Sequence, residues 1–186
     1  MLSIDGSMGE GGGQVLRSSL ALSLCLGRPF RMTRIRAARS RPGLQRQHLA
    51  AVRAAAAIGH ARVAGDELHS QTLEFAPAGV APGDYRFDIG SAGSTALVLQ
   101  TVLPPLLTAD GPSRLVIQGG THNPMAPTFE FIRDAFLPLL VRMGPRLAIA
   151  LHRPGFYPVG GGELVVSVDP VPVLAPLSLH ARGELP

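Results

Sequence analysis

The sequence contains no lysine, no tryptophan and only one cysteine, Cys25. Without lysine, neither a lysine-type phosphate loop nor a lysine–nucleotide covalent intermediate can be built. One thiol allows no disulfide framework within the chain, and Cys25, set in an apolar helical run, reads as a buried core thiol and not a catalytic one. The histidines outside the arginine-rich segment (His60, His69, His122, His152 and His180) lack metal-ligand spacing, so a zinc site is not expected. No Gly-x-Ser-x-Gly elbow occurs, which argues against a serine hydrolase. Charged residues are few, 16% against 46% hydrophobic, a balance that suits a compact globular chain and not a disordered one. Apolar runs such as Leu97–Leu107 are too short or too broken by proline to span a bilayer. The N-terminus lacks the basic, apolar and cleavage segments of a signal peptide. The expected location is the cytoplasm, with no membrane partner.

What is present is arginine. All 17 basic residues are arginine, the net charge is +4, and eight of them fall within the 26 residues from Arg28 to Arg53. A GC-rich coding bias accounts for part of this. Guanidinium forks also recognise phosphate through paired hydrogen bonds, so a polyanionic partner, nucleic acid or nucleotide, is the leading expectation.

Periodicity shows a repeat. "MLSID" reads as a strand, Gln14–Leu26 as a helix ended by Gly27, and "PFRMTRIR" as a strand. Gly43–Ile58 follows as an alanine-rich helix stopped by Gly59, then "ARVAG" and "QTLEFAP" as a hairpin pair. The same order recurs about 80 to 85 residues later in "DYRFDI", "GSAGSTALVLQTVLPPLL", "SRLVIQG", "PTFEFIRDAFLPLLVRMG", "RLAIALH" and "ELVVSV". The expected fold is α/β (α+β): tandem βαβαββ repeats, each a four-stranded sheet with two helices on one face. Residues 1–80 form the first repeat and 81–170 the second. Residues 171–186 are proline-rich and read as a linker or the start of a further, inserted domain.

Both repeats open their first helix with a glycine-rich turn, "GEGGGQ" and "GSAGST", and "YPVGGGE" adds a third glycine cluster. Exposed amides at a helix N-terminus with no intervening Cβ can bind an anion, although glycine also simply makes tight turns. Glu10 is either a solvated loop acid or, beside a phosphate, a ligand for Mg²⁺. In "RIRAARSRPGLQRQHLAAVRAA" the arginines 36, 39 and 41 precede a helix whose first turn carries Gln47 and His48. That arrangement suits a terminal phosphate, with His48 a contact and not a nucleophile. Gln100 taken alone is a surface polar residue, and Pro124 and Pro127 a turn and a helix start.

Together, "GEGGGQVLRSSLALS", "RIRAARSRPGLQRQHLAAV", "DIGSAGSTALVLQTVLP", "GGTHNPMAP" and "GFYPVGGGE" resemble the RNA 3′-terminal phosphate cyclase family, in its order and spacing over nearly the whole chain. The resemblance implies ATP-dependent conversion of an RNA 3′-phosphate to a 2′,3′-cyclic phosphate. A histidine of the enzyme takes AMP, passes it to the 3′-phosphate, and the neighbouring 2′-hydroxyl closes the ring as AMP leaves. It further implies Glu10 as a ligand for Mg²⁺ or Mn²⁺, Gln100 and Pro127 as ATP contacts, and Arg17, Arg36, Arg39, Gln47 and His48 as holders of the RNA 3′ end. The family's nucleophilic histidine lies in a third repeat, and nothing in this sequence matches it. The chain is therefore expected to be an N-terminal portion, inactive alone, that oligomerises or is completed by a C-terminal part. A non-catalytic cyclase-like RNA-binding protein of ribosome assembly is the alternative. A carboxyvinyl transferase is disfavoured because such enzymes rely on lysines.

Overall fold

In the computed structural model, which describes residues 1–180, two units of the same topology follow one another. The first comprises β1 (Leu2–Asp5), α1 (Gly13–Leu26), β2 (Phe30–Thr33), α2 (Arg46–Gly59), β3 (Arg62–Ala64) and β4 (Leu73–Ala76). Its sheet order is β1-β2-β4-β3, with β1 and β2 parallel and the other pairs antiparallel. The second comprises β5 (Asp84–Asp88), α3 (Thr95–Leu106), β6 (Ser113–Gly119), β7 (Arg146–Arg153) and β8 (Gly162–Asp169), in the equivalent order β5-β6-β8-β7. Its second helix is interrupted: α4 (Phe129–Phe131), a π turn (Ile132–Phe136) and α5 (Leu137–Val141). The interruption follows from Pro138, which has no amide for the Asp134 carbonyl and whose ring would crowd it. The Leu137 amide instead reaches back five residues to Ile132.

One apolar cluster runs through both units. Leu16 and Leu20 of α1, Val52 and Ile58 of α2 and Val98 and Val102 of α3 are essentially inaccessible, as are Phe30 and Phe75 beneath them and Ile117 and Val166 beyond. Burying each such side chain contributes about 1.5–3 kcal/mol. Helices α1, α2 and α3 pack on one another, and α2 also meets β5. The two units therefore join through their helical layers, and that contact decides which loops lie side by side.

Several local expectations are corrected. "PFRMTRIR" is a strand only as far as Thr33, because Arg34 and Arg36 take left-handed backbone conformations, φ 55° and 53°. Asp5 draws the chain off the sheet by accepting an Arg34 guanidinium hydrogen bond at 3.1 Å, and the Ile35 amide pairs with the Gln71 carbonyl at 3.0 Å. Helix α2 begins at Arg46, not Gly43. Cys25 is exposed, on an α1 face where Leu22 and Leu26 are exposed too, and partial burial raises its thiol pKa. Residues 171–180 contain no regular element, and the rest of the 171–186 expectation lies outside the described residues. No helix among the described residues is long and apolar enough to cross a membrane.

Candidate functional site

The arginine-rich segment does not form one patch. Arg31 pairs with Glu74 and Arg34 with Asp5, each on sheet 1 or its margin. Arg36 and Arg39 turn the other way, toward the start of α1. Arg36 donates to the Gly43 carbonyl at 3.1 Å, bracing the loop that leads into α2. Arg39 donates to the Glu10 carbonyl at 2.8 Å and stands 3.6 Å from the Glu10 carboxylate.

Helix α1 starts at Gly13 with no side chain capping it. A Cβ on Gly13 would lie 2.2 Å from His48 Nε2 and 2.9 Å from an Arg17 guanidinium nitrogen, so only glycine lets these two side chains close on the helix start. Arg17, one turn inside α1, is 7% exposed, and among the described residues it pairs with no carboxylate. Its Nη2 donates to Gln14 Oε1 at 3.1 Å while its buried Nε has no acceptor. Burial pushes its pKa down to about 10, which still leaves a cation at neutral pH. A buried guanidinium with an unused donor beside an uncapped helix N-terminus calls for an anion.

His48 supplies a second donor. Its Nδ1 accepts the Gln45 amide hydrogen at 3.2 Å. A backbone amide can only donate, so the neutral ring must carry its proton on Nε2, the atom facing Gly13. Burial first, then the charges of Arg36 and Arg17, push its pKa down to about 4. Both ring nitrogens are thus committed, one to Gln45 and the other as a donor, and neither offers the free lone pair that a nucleophile or base requires.

The lowered pKa has a consequence for folding. In the unfolded chain His48 titrates near 6.5 and in the folded chain near 4, so between these values the unfolded state binds more protons. The contribution of His48 therefore makes stability rise with pH across that window, by up to about 3 kcal/mol for a shift of this size. In phosphate-free buffer, His48→Asn should flatten the fall in denaturation midpoint from pH 6.5 to pH 4. An unchanged slope would show that the imidazole is not held neutral.

Gln47, adjacent to His48, faces the other unit. Its Oε1 accepts the Ser94 amide at 2.8 Å, at the start of α3. The first turn of α2 therefore meets α1 through His48 and α3 through Gln47, and three helix N-termini converge, each carrying roughly half a positive charge. The α3 terminus is not itself an open anion site. Its leading amides are taken by Gln47 and, at 2.9 Å, by the Gly120 carbonyl, while the Gly120 amide bonds back to Gly93 at 2.7 Å. The second glycine-rich turn thus serves close backbone packing against residues 119–120.

Gln100 and Pro127, far apart in sequence, line one cleft of about 140 Å³ with Ala96, Leu99, Phe131 and Phe136. Phe131 is 54% exposed. An apolar slot bordered by two phenylalanines and one amide suits a flat heteroaromatic group. Glu10 stands apart, its side chain 96% exposed. Among the described residues no three His, Cys, Asp or Glu side chains gather around a point.

Three residues the motif reading did not single out complete the site. Gln45 fixes the His48 tautomer, Gln14 holds Arg17, and Arg46 donates to the Gly90 carbonyl at 3.2 Å. Only the Gln14–Arg17 pair, three apart on one helix, carried a signal in the sequence.

Comparison by sequence with known proteins points to one family. The sequence model of the family described as RNA 3′-terminal phosphate cyclase matches residues 8–180. The RNA 3′-terminal phosphate cyclase of Koribacter versatilis (strain Ellin345) is 55% identical over 185 residues, covering 100% of this chain and 52% of that protein. The chain thus spans about half the length of the curated relative it matches. Among solved structures, the enolpyruvyl transferase NikO from Streptomyces tendae aligns with TM-score 0.42 and 18% identity, over 83% of this chain and 29% of that one. EPSP synthase from Acinetobacter baumannii aligns with TM-score 0.36 and 13% identity, over 90% and 47%.

Proposed function

The chain belongs to the RNA 3′-terminal phosphate cyclase family, and on that premise we propose that it forms the part of an ATP-dependent cyclase that grips the RNA 3′-phosphate and one side of ATP. The observation that supports this most is the buried, carboxylate-free Arg17 at the uncapped start of α1, with His48 Nε2 beside it. A terminal phosphate seated there takes hydrogen bonds from the Arg17 fork, the His48 Nε2–H and the amides of the first turn of α1. Arg39 lies close enough to add a second cation once it leaves Glu10, since an exposed pair of that kind is worth little. Arg36 and Gln47 act indirectly, one bracing the loop and the other docking α2 on α3.

The Gln100–Pro127 cleft takes the adenine, with Pro127 and Phe131 against its faces and the Gln100 amide at its edge. Glu10 would hold Mg²⁺ or Mn²⁺ together with phosphate oxygens. ATP would supply the AMP group, with release of pyrophosphate, that activates the 3′-phosphate for attack by the neighbouring 2′-hydroxyl, AMP leaving as the new P–O bond forms. In that step Arg17 and the α1 amides stabilise the charge building on the phosphate oxygens. His48 holds its Nε2–H on the same oxygens and accepts no proton. On this reading His48 is not the histidine that takes AMP.

The test is direct binding of otherwise identical short RNAs ending in 3′-phosphate or 3′-hydroxyl. The phosphorylated end should bind at least about tenfold more tightly, the value of one good charge-assisted contact. Equal affinity would remove the assignment of the α1 terminus as the 3′-phosphate seat.

A further inference from the structure

Beside the convergence of helix starts, a groove of about 440 Å³ runs between α2 and β5, the outer strand of the second sheet. Its helical wall is small because the "AAVRAAAA" stretch of α2 presents alanines there, and Arg46 and Arg53 rise at its rim seven residues apart. Seven residues is two helical turns, so both guanidiniums lie on one face, roughly 10 Å apart along the axis. Arg86 of β5 also lines the groove, and Phe87 and Leu68 add apolar surface. Arg53 has no ion-pair or hydrogen-bond partner among the described residues. Arg86 is held at 3.0 Å by Glu163 yet remains 61% exposed. The one carboxylate lining the groove, Asp88, accepts the Gly90 amide at 2.8 Å.

We propose that this groove is a track for the RNA strand leading to its 3′ end, with Arg46, Arg53 and Arg86 on backbone phosphates and the apolar floor beneath sugars and bases. The inference rests on the reading of the α1 terminus as the 3′-phosphate seat. Continuity selects RNA over an acidic peptide. Arg46 and His48 both lie in the first turn of α2, on opposite sides of the helix, so the groove ends about one helix diameter, roughly 10 Å, from the seat. A polymer anchored there by its terminal phosphate brings its next phosphates past Arg46 and on toward Arg53. A cationic rim over an apolar floor is the general form of a single-strand groove.

The test compares wild type, Arg53→Gln and Arg53→Lys for binding of a 3′-phosphorylated RNA of about ten nucleotides and of a 3′-phosphorylated dinucleotide over a range of salt. With the long RNA, Arg53→Gln should bind about three- to fivefold more weakly at low salt, and its salt slope should fall by about 0.7, the share of one phosphate contact on a single strand. Arg53→Lys should keep the slope, and the dinucleotide should not distinguish the variants. An unchanged slope for Arg53→Gln, or an equal loss for the long and short RNAs, overturns the track. So does polyglutamate binding that is lost in Arg53→Gln while RNA binding is kept, since the occupant would then be an acidic peptide. Failure of the underlying reading shows separately, as wild type binding 3′-phosphate and 3′-hydroxyl ends alike.

Discussion

Arg17→Met should leave the protein at least as stable as wild type while weakening binding of 3′-phosphorylated RNA about 100-fold, the loss of a two-pronged charge-assisted contact. The reason is that Arg17 pays a desolvation cost in the free protein without recovering it. It is buried, lacks a carboxylate partner, and has an Nε with no acceptor. Methionine fills much of the space without the charge, and Gln14, exposed at the surface, keeps its bond to Ser18 and finds water for its oxygen in place of Arg17. Replacing an uncompensated buried charge by an apolar side chain should raise stability by about 1 kcal/mol. Denaturation and RNA-binding measurements on the same preparations check both halves. A variant that is clearly less stable, or that retains its preference for the phosphorylated end, would show that Arg17 is structural and not a waiting anion contact. Arg17→Lys should fall between, keeping charge but losing the fork.

Gly43→Ala should be the most destabilising single change near the site, by about 3 kcal/mol or more, which for a chain of this size lowers the melting temperature by roughly 10 °C. Gly43 sits at φ 74°, where a Cβ is strained in any surroundings. Here the Cβ would also lie 2.1 Å from the His69 carbonyl oxygen, a backbone atom that cannot step aside. The same crossing is tied by the His69 amide to the Leu44 carbonyl at 2.8 Å and by the Gly43 amide to the Ile35 carbonyl at 2.9 Å. Displacing it would move Gln45, and with it the acceptor geometry at His48 Nδ1. Stability and phosphate affinity should therefore fall together. A melting temperature within a degree or two of wild type would mean that the loop yields at little cost.

The repeat was legible because its punctuation is covalent. Gly27 takes φ 62° at the end of α1, and the stretches "DYRFD" and "SRLVIQG" form strands that pair in register. The strand end at Thr33 was not legible, because "RIR" continues the alternation and the competing partners, Asp5 and Gln71, come from distant parts of the chain. Cys25 misled for a related reason: α1 is apolar nearly all round, so its sequence does not say which face the core receives. At the site, the glycine, arginine and histidine motifs named side chains that the fold gathers around the start of α1. They did not distinguish the residues turned toward that helix start from those, like Gln47 and Arg36, that spend their hydrogen bonds on neighbouring loops. Nor could they show that Gln100 and Pro127 share a cleft, which depends on how α3 and α4 lie together.

Gln47 and His48 are neighbours in the chain that report on two different dockings, one of α2 against α3 and the other of α2 against α1. On the proposed reading the seat draws all its residues from the first unit, and Gln47 alone carries its helix across to Ser94 of the second. Loosening the contact between α2 and α3 should then reach the seat only through a shift of α2 itself, which makes Gln47 the one residue whose loss would separate docking of the units from assembly of the seat.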